Sequence, residues 1–240
     1  MIQGEKLHEG KAKIVYATDD PNVYLQQFKD SATAFDGKKK GTIARKGEIN
    51  NAISARLFAL LEEAGVPTHF LGATSDTGML IRRLDMFKVE FVVRNIAAGS
   101  LSKRIGYPEG TPLKNPPVIE YYYKDDELGD PLLCLSHLEE LNVASREDIE
   151  EATRLARTVN RVLTDFFAAR GVTLVDFKLE FGKDAHGVVR LGDEISPDTC
   201  RFWDSGTGER LDKDRFRRDM GGVEDAYEEM LRRVTAEPSV

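Results

Sequence analysis

Residues 174–204 read LVDFKLEFGKDAHGVVRLGDEISPDTCRFWD, and their first eight positions alternate strictly. Val175, Phe177, Leu179 and Phe181 fall on one side; Leu174, Asp176, Lys178 and Glu180 fall on the other. A period of two predicts a strand with one buried face. Residues 182–187 supply a turn, and 188–191 the returning strand. The hairpin thus carries Asp176, Lys178 and Glu180 on one arm, with Asp193 and Glu194 just past the other. Paired carboxylates beside a lysine suit a divalent cation carrying a polyphosphate. Hard oxygen ligands hold Mg²⁺, and the ammonium faces phosphates or a substrate anion. A solvated sheet face with alternating charges produces the same spacing, so the hairpin alone leaves both readings open. Apolar neighbours around Asp193 and the chain's one tryptophan, Trp203, in the same run favour a site.

Working outward, the 240 residues suffice for one large domain or two lobes with a real core. A net charge of −7 argues against general binding to nucleic acid or anionic membranes. No N-terminal run resembles a signal peptide, and none is long and apolar enough to span a bilayer. The two cysteines, Cys134 and Cys200, stand far apart and outside any metal-ligand spacing, which fits a reducing cytoplasm. The four histidines form no ligand pattern, so neither a zinc site nor a histidine-based triad is expected.

From the N-terminus, 11–18 (KAKIVYAT) and 23–29 (VYLQQFK) predict a hairpin around 19–22. Just before it, Gly10, Lys11, Ala12 and Lys13 offer a close backbone approach to phosphates with ammonium groups beside it, although lysines also protect edge strands. Residues 31–47 form a polar segment with three glycines and five basic residues, read as a loop closing over anionic substrates. Residues 48–64 predict a helix whose face is Ile49, Ile53, Leu57, Leu60 and Leu61, stopped by Gly65 and Pro67. Strands are expected at 69–71, 79–84 and 89–94, with a hinge at 84–87. At 92–104 a strand ends at Arg94-Asn95. Gly99 and Ser100 then suggest a helix N-cap, a setting that binds phosphate with Arg94 and Lys103 beside it. A tyrosine-rich strand at 118–124 follows a Gly/Pro loop. Ser145 and Asp148 open a helix running to 170, closed by Gly171. Two C-terminal helices span 212–218 and 223–233.

Seven stretches together resemble the SAICAR synthetase (phosphoribosylaminoimidazole-succinocarboxamide synthase) family. They are EGKAKIVY at 9–16, SATAFDG at 31–37, ARKGEINN at 44–51, VVRNIAAGSLSKR at 92–104, LVDFKLEFG at 174–182, LGDEISPDTCRFWD at 191–204 and KDRFRRDMGG at 213–222. The resemblance implies an α+β, two-lobed fold related to kinase and ATP-grasp folds. An antiparallel N-terminal lobe (1–86) and an α+β C-terminal lobe (87–240) would enclose an ATP cleft. It implies the joining of L-aspartate to the carboxylate of carboxyaminoimidazole ribonucleotide (CAIR), with ATP and Mg²⁺. Gly10, Lys11, Ala12 and Lys13 would cover the phosphates, and Arg82, Leu84 and Met86 would line the adenine hinge. Glu180 and Asp193 would hold Mg²⁺. Arg94, Ser100, Lys103 and Arg201 would serve the ribonucleotide phosphate, Lys178 and Asp176 the imidazole carboxylate, and Asp36 the aspartate. A homodimer is compatible with it, through the tyrosine strand or the C-terminal helices. Two rivals remain on the residues alone: a kinase-like phosphotransferase with another acceptor, and a catalytically silent nucleotide-binding scaffold. The first lacks the kinase spacing, and the second has no physical need to keep Glu180, Asp193, Ser100 and Arg201 together.

Overall fold

Short β-branched runs separated by turn residues build the first part of the chain into an antiparallel sheet. The computed structural model describes residues 3–34 and 38–236. Its first strands are β1 (Gln3–Glu9), β2 (Lys13–Thr18) and β3 (Val23–Phe28), the last two forming the expected hairpin. β1 escapes sequence reading because all of its residues are exposed, so it has no apolar face. The segment 31–47 is not a plain loop. It contains a two-stranded ribbon, β4 (Ser31–Ala34) against β5 (Lys39–Thr42), in which Ala32 and Ala34 alternate as buried residues. Asp36 lies outside the described residues.

Helix α1 (Lys46–Glu63) buries Ile49, Ile53, Leu57 and Leu61, as its period of 3.6 requires, and adds Phe58. It packs on β3 and on the next two strands, β6 (Phe70–Ser75) and β7 (Gly78–Arg82). The first sheet has the order β1-β2-β3-β7-β6.

The second sheet starts at β8 (Asp85–Arg94). After α2 (Gly99–Ile105) come β9 (Val118–Tyr123), β10 (Leu132–Leu133), α3 (Leu135–Glu140) and α4 (Arg146–Ala168). Strands β11 (Val172–Lys183), β12 (Val189–Leu191) and β13 (Cys200–Asp204) complete it in the order β10-β9-β8-β11-β12, with β13 also on β11. α4 opens as expected, the Ser145 hydroxyl accepting the Asp148 N–H at 3.2 Å. Its buried face, from Ile149 to Phe166, lies against β11. Two final helices, α5 (Asp214–Arg217) and α6 (Val223–Thr235), close the chain, and α6 packs on α1. Among the described residues no helix is long and apolar enough to cross a membrane.

Two local expectations change. β11 is buried on both faces, not one: Val175, Phe177, Leu179 and Phe181 are buried, and so are Asp176 and Glu180. Alternation still sorts apolar from polar, but the polar face is covered by ion pairs rather than water. Ser100 is not an N-cap. Ala98 holds that position in an extended conformation without a side-chain cap, and Ser100 lies inside α2.

Candidate active site

A cleft of about 660 Å³ opens between the 8–13 segment and the polar face of β11. Lys178 projects from the middle of that face. Its Nζ lies 2.5 Å from Glu180, 2.8 Å from Asp193 and 3.4 Å from Glu90. Lys13 reaches in from β2 to bond the other oxygen of Asp193, with Glu194 at 3.7 Å. Lys124, just after β9, pairs with Glu180. Glu90 and Glu180 face each other in register across β8 and β11, a like-charge pairing that is unfavourable alone and is neutralised here by Lys178.

Burial opposes charge on Lys178, but Asp193, Glu180 and Glu90 outweigh it and hold the ammonium well above the usual lysine value. Asp193 is likewise held well below the carboxylate range, because Lys13, Lys178 and Lys124 overcome its burial. Burial wins at Glu90 and Glu194, and both are pushed up. Asp193 also sits at φ 59°, a left-handed backbone rare for a non-glycine residue and typical of strained functional positions.

A second polar cluster occupies the other end of the same strand face. Arg94 donates to Asp176 and to Glu120, each at 2.7 Å, and its third nitrogen faces the Ser100 hydroxyl at 3.4 Å. Arg201 bonds both oxygens of Asp176, at 3.0 and 2.9 Å, and Asp214 at 2.9 Å. Its guanidinium lies flat against Gly99, where an added Cβ would stand 2.7 Å from Nη2. Arg104 joins through Ser100, Tyr122 and Glu120. One strand face therefore carries an acid–lysine site and an arginine site.

The family model for SAICAR synthetase matches residues 6–234. The chain belongs to the SAICAR synthetase family. It is 60% identical over 228 residues to a phosphoribosylaminoimidazole-succinocarboxamide synthase from Chlorobium phaeovibrioides, covering 95% of each chain. A crystal structure of that synthase from Ehrlichia chaffeensis superposes with a TM-score of 0.94 at 43% identity, covering 98% of this chain and 100% of the other. A SAICAR synthetase in complex with ADP gives 0.93 at 48% identity, covering 97% and 99%. The chain is an ATP-dependent ligase of purine biosynthesis with this family's two-lobed α+β fold.

The fold of this ligase brings Lys13, Lys178, Glu180 and Asp193 together, and Gly10, Lys11 and Ala12 line the same cleft. Leu84 and Met86 lie over Gly192, next to Asp193. Gly182 admits the Asp85–Met86 backbone, since a Cβ there would come within 2.6 Å of the Asp85 carbonyl. Arg82 is exposed at the end of β7, its N–H bonded to the His69 carbonyl at 2.6 Å. Arg94, Ser100, Arg201 and Asp176 meet in the second cluster, while Lys103 is exposed on α2. Sequence reasoning passed over Lys124, Glu90, Asp198, Lys213 and Arg104. Lys124 looked like the end of a tyrosine strand; only the β8–β9 pairing brings it to β11. Asp198 and Lys213 lay inside quoted motifs but carried no spacing signal of their own.

Proposed function

We propose that ligation takes place along the polar face of β11. ATP would lie with its adenine at Leu84 and Met86, near Arg82, and its phosphates under residues 10–13 and beside Lys124. The CAIR carboxylate would lie at Lys178 and its 5′-phosphate at Arg94, Ser100 and Arg201, with Lys103 at the rim. L-aspartate would enter from the ribbon side, with Asp36 proposed as one of its contacts. The observation that carries this reading is the Lys178 ammonium, held 2.5 Å from Glu180 and 2.8 Å from Asp193, where charge must be neutralised between two carboxylates.

The same pair suits Mg²⁺. Oδ2 of Asp193 is buried and accepts no hydrogen bond: its contact with Lys178 is close but lacks bonding geometry. Mg²⁺ is commonly held by one or two carboxylates plus substrate phosphates, and Glu180 with Asp193 supplies that donor set. Bound there, the ion would neutralise phosphate oxygens during transfer.

A carboxylate acylates poorly at neutral pH, so it needs activation. Moving the γ-phosphoryl group of ATP onto the CAIR carboxylate gives ADP and an acyl phosphate. The aspartate amine then attacks the acyl carbon, the carbon–oxygen bond to phosphate breaks, and the amine loses a proton. Phosphoryl transfer between anions chiefly requires alignment and neutralised charge, which Lys13, Lys124 and Lys178 supply. Asp176 is better placed to align two arginines than to take that proton, since both its oxygens accept from Arg201. A cytoplasmic, homodimeric enzyme without nucleic-acid affinity completes the proposal. The free thiols and the net charge of −7 support the location and the lack of nucleic-acid affinity.

ADP release with CAIR and L-aspartate added singly and together tests the reading. Release needing both, with SAICAR formed in equal amount, is the expected result. Release with CAIR alone would reveal acyl phosphate lost to water. ATP binding without release under any condition would overturn the ligase reading in favour of a silent scaffold.

A further inference from the structure

Lys213 is a cation of the cleft that neither cluster uses. Lys213, just before α5, lines the wall facing the 8–13 segment, with its side chain 11% exposed. Lys13, Lys124 and Lys178 each donate a hydrogen bond to a carboxylate. Lys213 does not: its nearest carboxylate oxygen, on Asp198, is 3.8 Å away. At that distance Asp198 makes no hydrogen bond to it; the carboxylate instead accepts from Lys46 at 2.8 Å and from the Tyr227 hydroxyl at 2.7 Å. Burial, aided by Arg217 and Lys46, pulls the Lys213 ammonium below the ordinary lysine value despite Asp198. A cleft-facing ammonium short of acceptors is completed by an anionic ligand.

Position selects the anion. The Lys178 N–H donates to the Thr199 carbonyl at 2.9 Å, and the Lys213 N–H to the Pro197 carbonyl at 3.0 Å. The 197–199 segment therefore flanks the backbones of both lysines, and both line the cleft, which Arg94 and Arg201 do not. In the proposed arrangement the triphosphate has Lys13 and Lys124, and the ribonucleotide phosphate has Arg94 and Arg201. The two carboxylates of the amino-acid substrate have no cation, and Asp36 has the wrong sign to bind them.

We infer that Lys213 binds a carboxylate of the dicarboxylic amino-acid substrate beside the reacting centre, and that Asp198 positions it. This rests on the reaction proposed above. Asp198, fixed by Lys46 and Tyr227, holds the lysine stem in place without occupying its donors.

Steady-state kinetics of Lys213→Met test it. The KM for L-aspartate should rise roughly tenfold to a hundredfold, the loss expected for a hydrogen bond to a charged group. The KM values for ATP and CAIR should stay within about twofold. Competitive inhibition by succinate should weaken by the same factor as aspartate, and inhibition by ADP should not change. Lys213→Arg should recover part of the loss. If Lys213→Met does not fold, Lys213→Gln gives the same readout while keeping a polar group near Asp198. A rise confined to ATP or CAIR, or an aspartate KM and succinate inhibition that do not move, overturns the assignment. Wild-type protein that forms no SAICAR from aspartate overturns the underlying reaction as well.

Discussion

Lys46 Nζ lies 2.8 Å from Asp198 Oδ2, and neither side chain has meaningful contact with solvent. The pair ties the start of α1 to the wall of the cleft, and Tyr227 fastens α6 to the same carboxylate. Removing one partner of a buried pair leaves an uncompensated charge. Lys46→Met should therefore cost about 3–5 kcal/mol, read as a fall in the urea midpoint. The pH dependence has a definite sign. Burial opposes the Asp198 charge, but Lys213 and Lys46 prevail and hold the carboxyl at about 2, below its ordinary 3.8. Its contribution is complete above about pH 4 and is lost as pH falls towards 2. In Lys46→Met the folded carboxyl is held down less, so this pH-dependent loss should be smaller and should finish at higher pH. Identical acid-unfolding curves for the two proteins would contradict the assigned pairing.

Glu180→Gln and Asp193→Asn should each lower turnover by at least about a hundredfold, the scale of losing one preorganised electrostatic contact to a transition state. Circular dichroism should stay that of wild type, because the strand keeps its apolar face. A near-normal rate in either variant would remove that residue from the proposed metal site.

Gly99 has φ +54° and lies against Arg201, so Gly99→Ala combines backbone strain with a clash at 2.7 Å. Gly187 has φ +77° and nothing near its missing Cβ. Both alanine variants should lose about 1 kcal/mol of stability from the left-handed backbone. Only Gly99→Ala should raise the KM for CAIR. An equal rise in both would mean that Arg201 is not a phosphate ligand.

Lys39 fastens the β4–β5 ribbon to the other end of the chain, bonding the Phe216 carbonyl at 2.6 Å and Asp219 at 2.5 Å. Asp219 is largely exposed, so Lys39→Ala should change thermal stability by less than about 1 kcal/mol. Amides of residues 39–42 should nevertheless exchange faster, which hydrogen-exchange mass spectrometry reads directly. Unchanged exchange would show that the ribbon is held by its own pairing.

Periodicity revealed the elements with one clean apolar face: β11 through its strict alternation, α1 and α4 through apolar positions three and four apart. It failed where burial is reached by other means. β1 is exposed throughout, the ribbon hides two alanines among polar residues, and β10 is only two residues long. For the site, the motifs pointed to Lys13, Lys178, Glu180 and Asp193, which meet. They could not point to Lys124, whose partner Glu180 is 56 residues away, or to the Lys46–Asp198 pair, 152 residues apart. Such contacts exist only once the strand order is set.

Asp176 and Glu180 stand four residues apart on one face of β11, about 13 Å at the rise of an extended chain. That spacing has no loop in it to stretch or shorten. One residue inserted between them would turn every side chain beyond it to the opposite face. The arginine cluster and the acid–lysine cluster would then look in different directions. Length changes among descendants of this gene should therefore collect in the connections, such as 106–117 and 124–131, and spare 176–180 entirely.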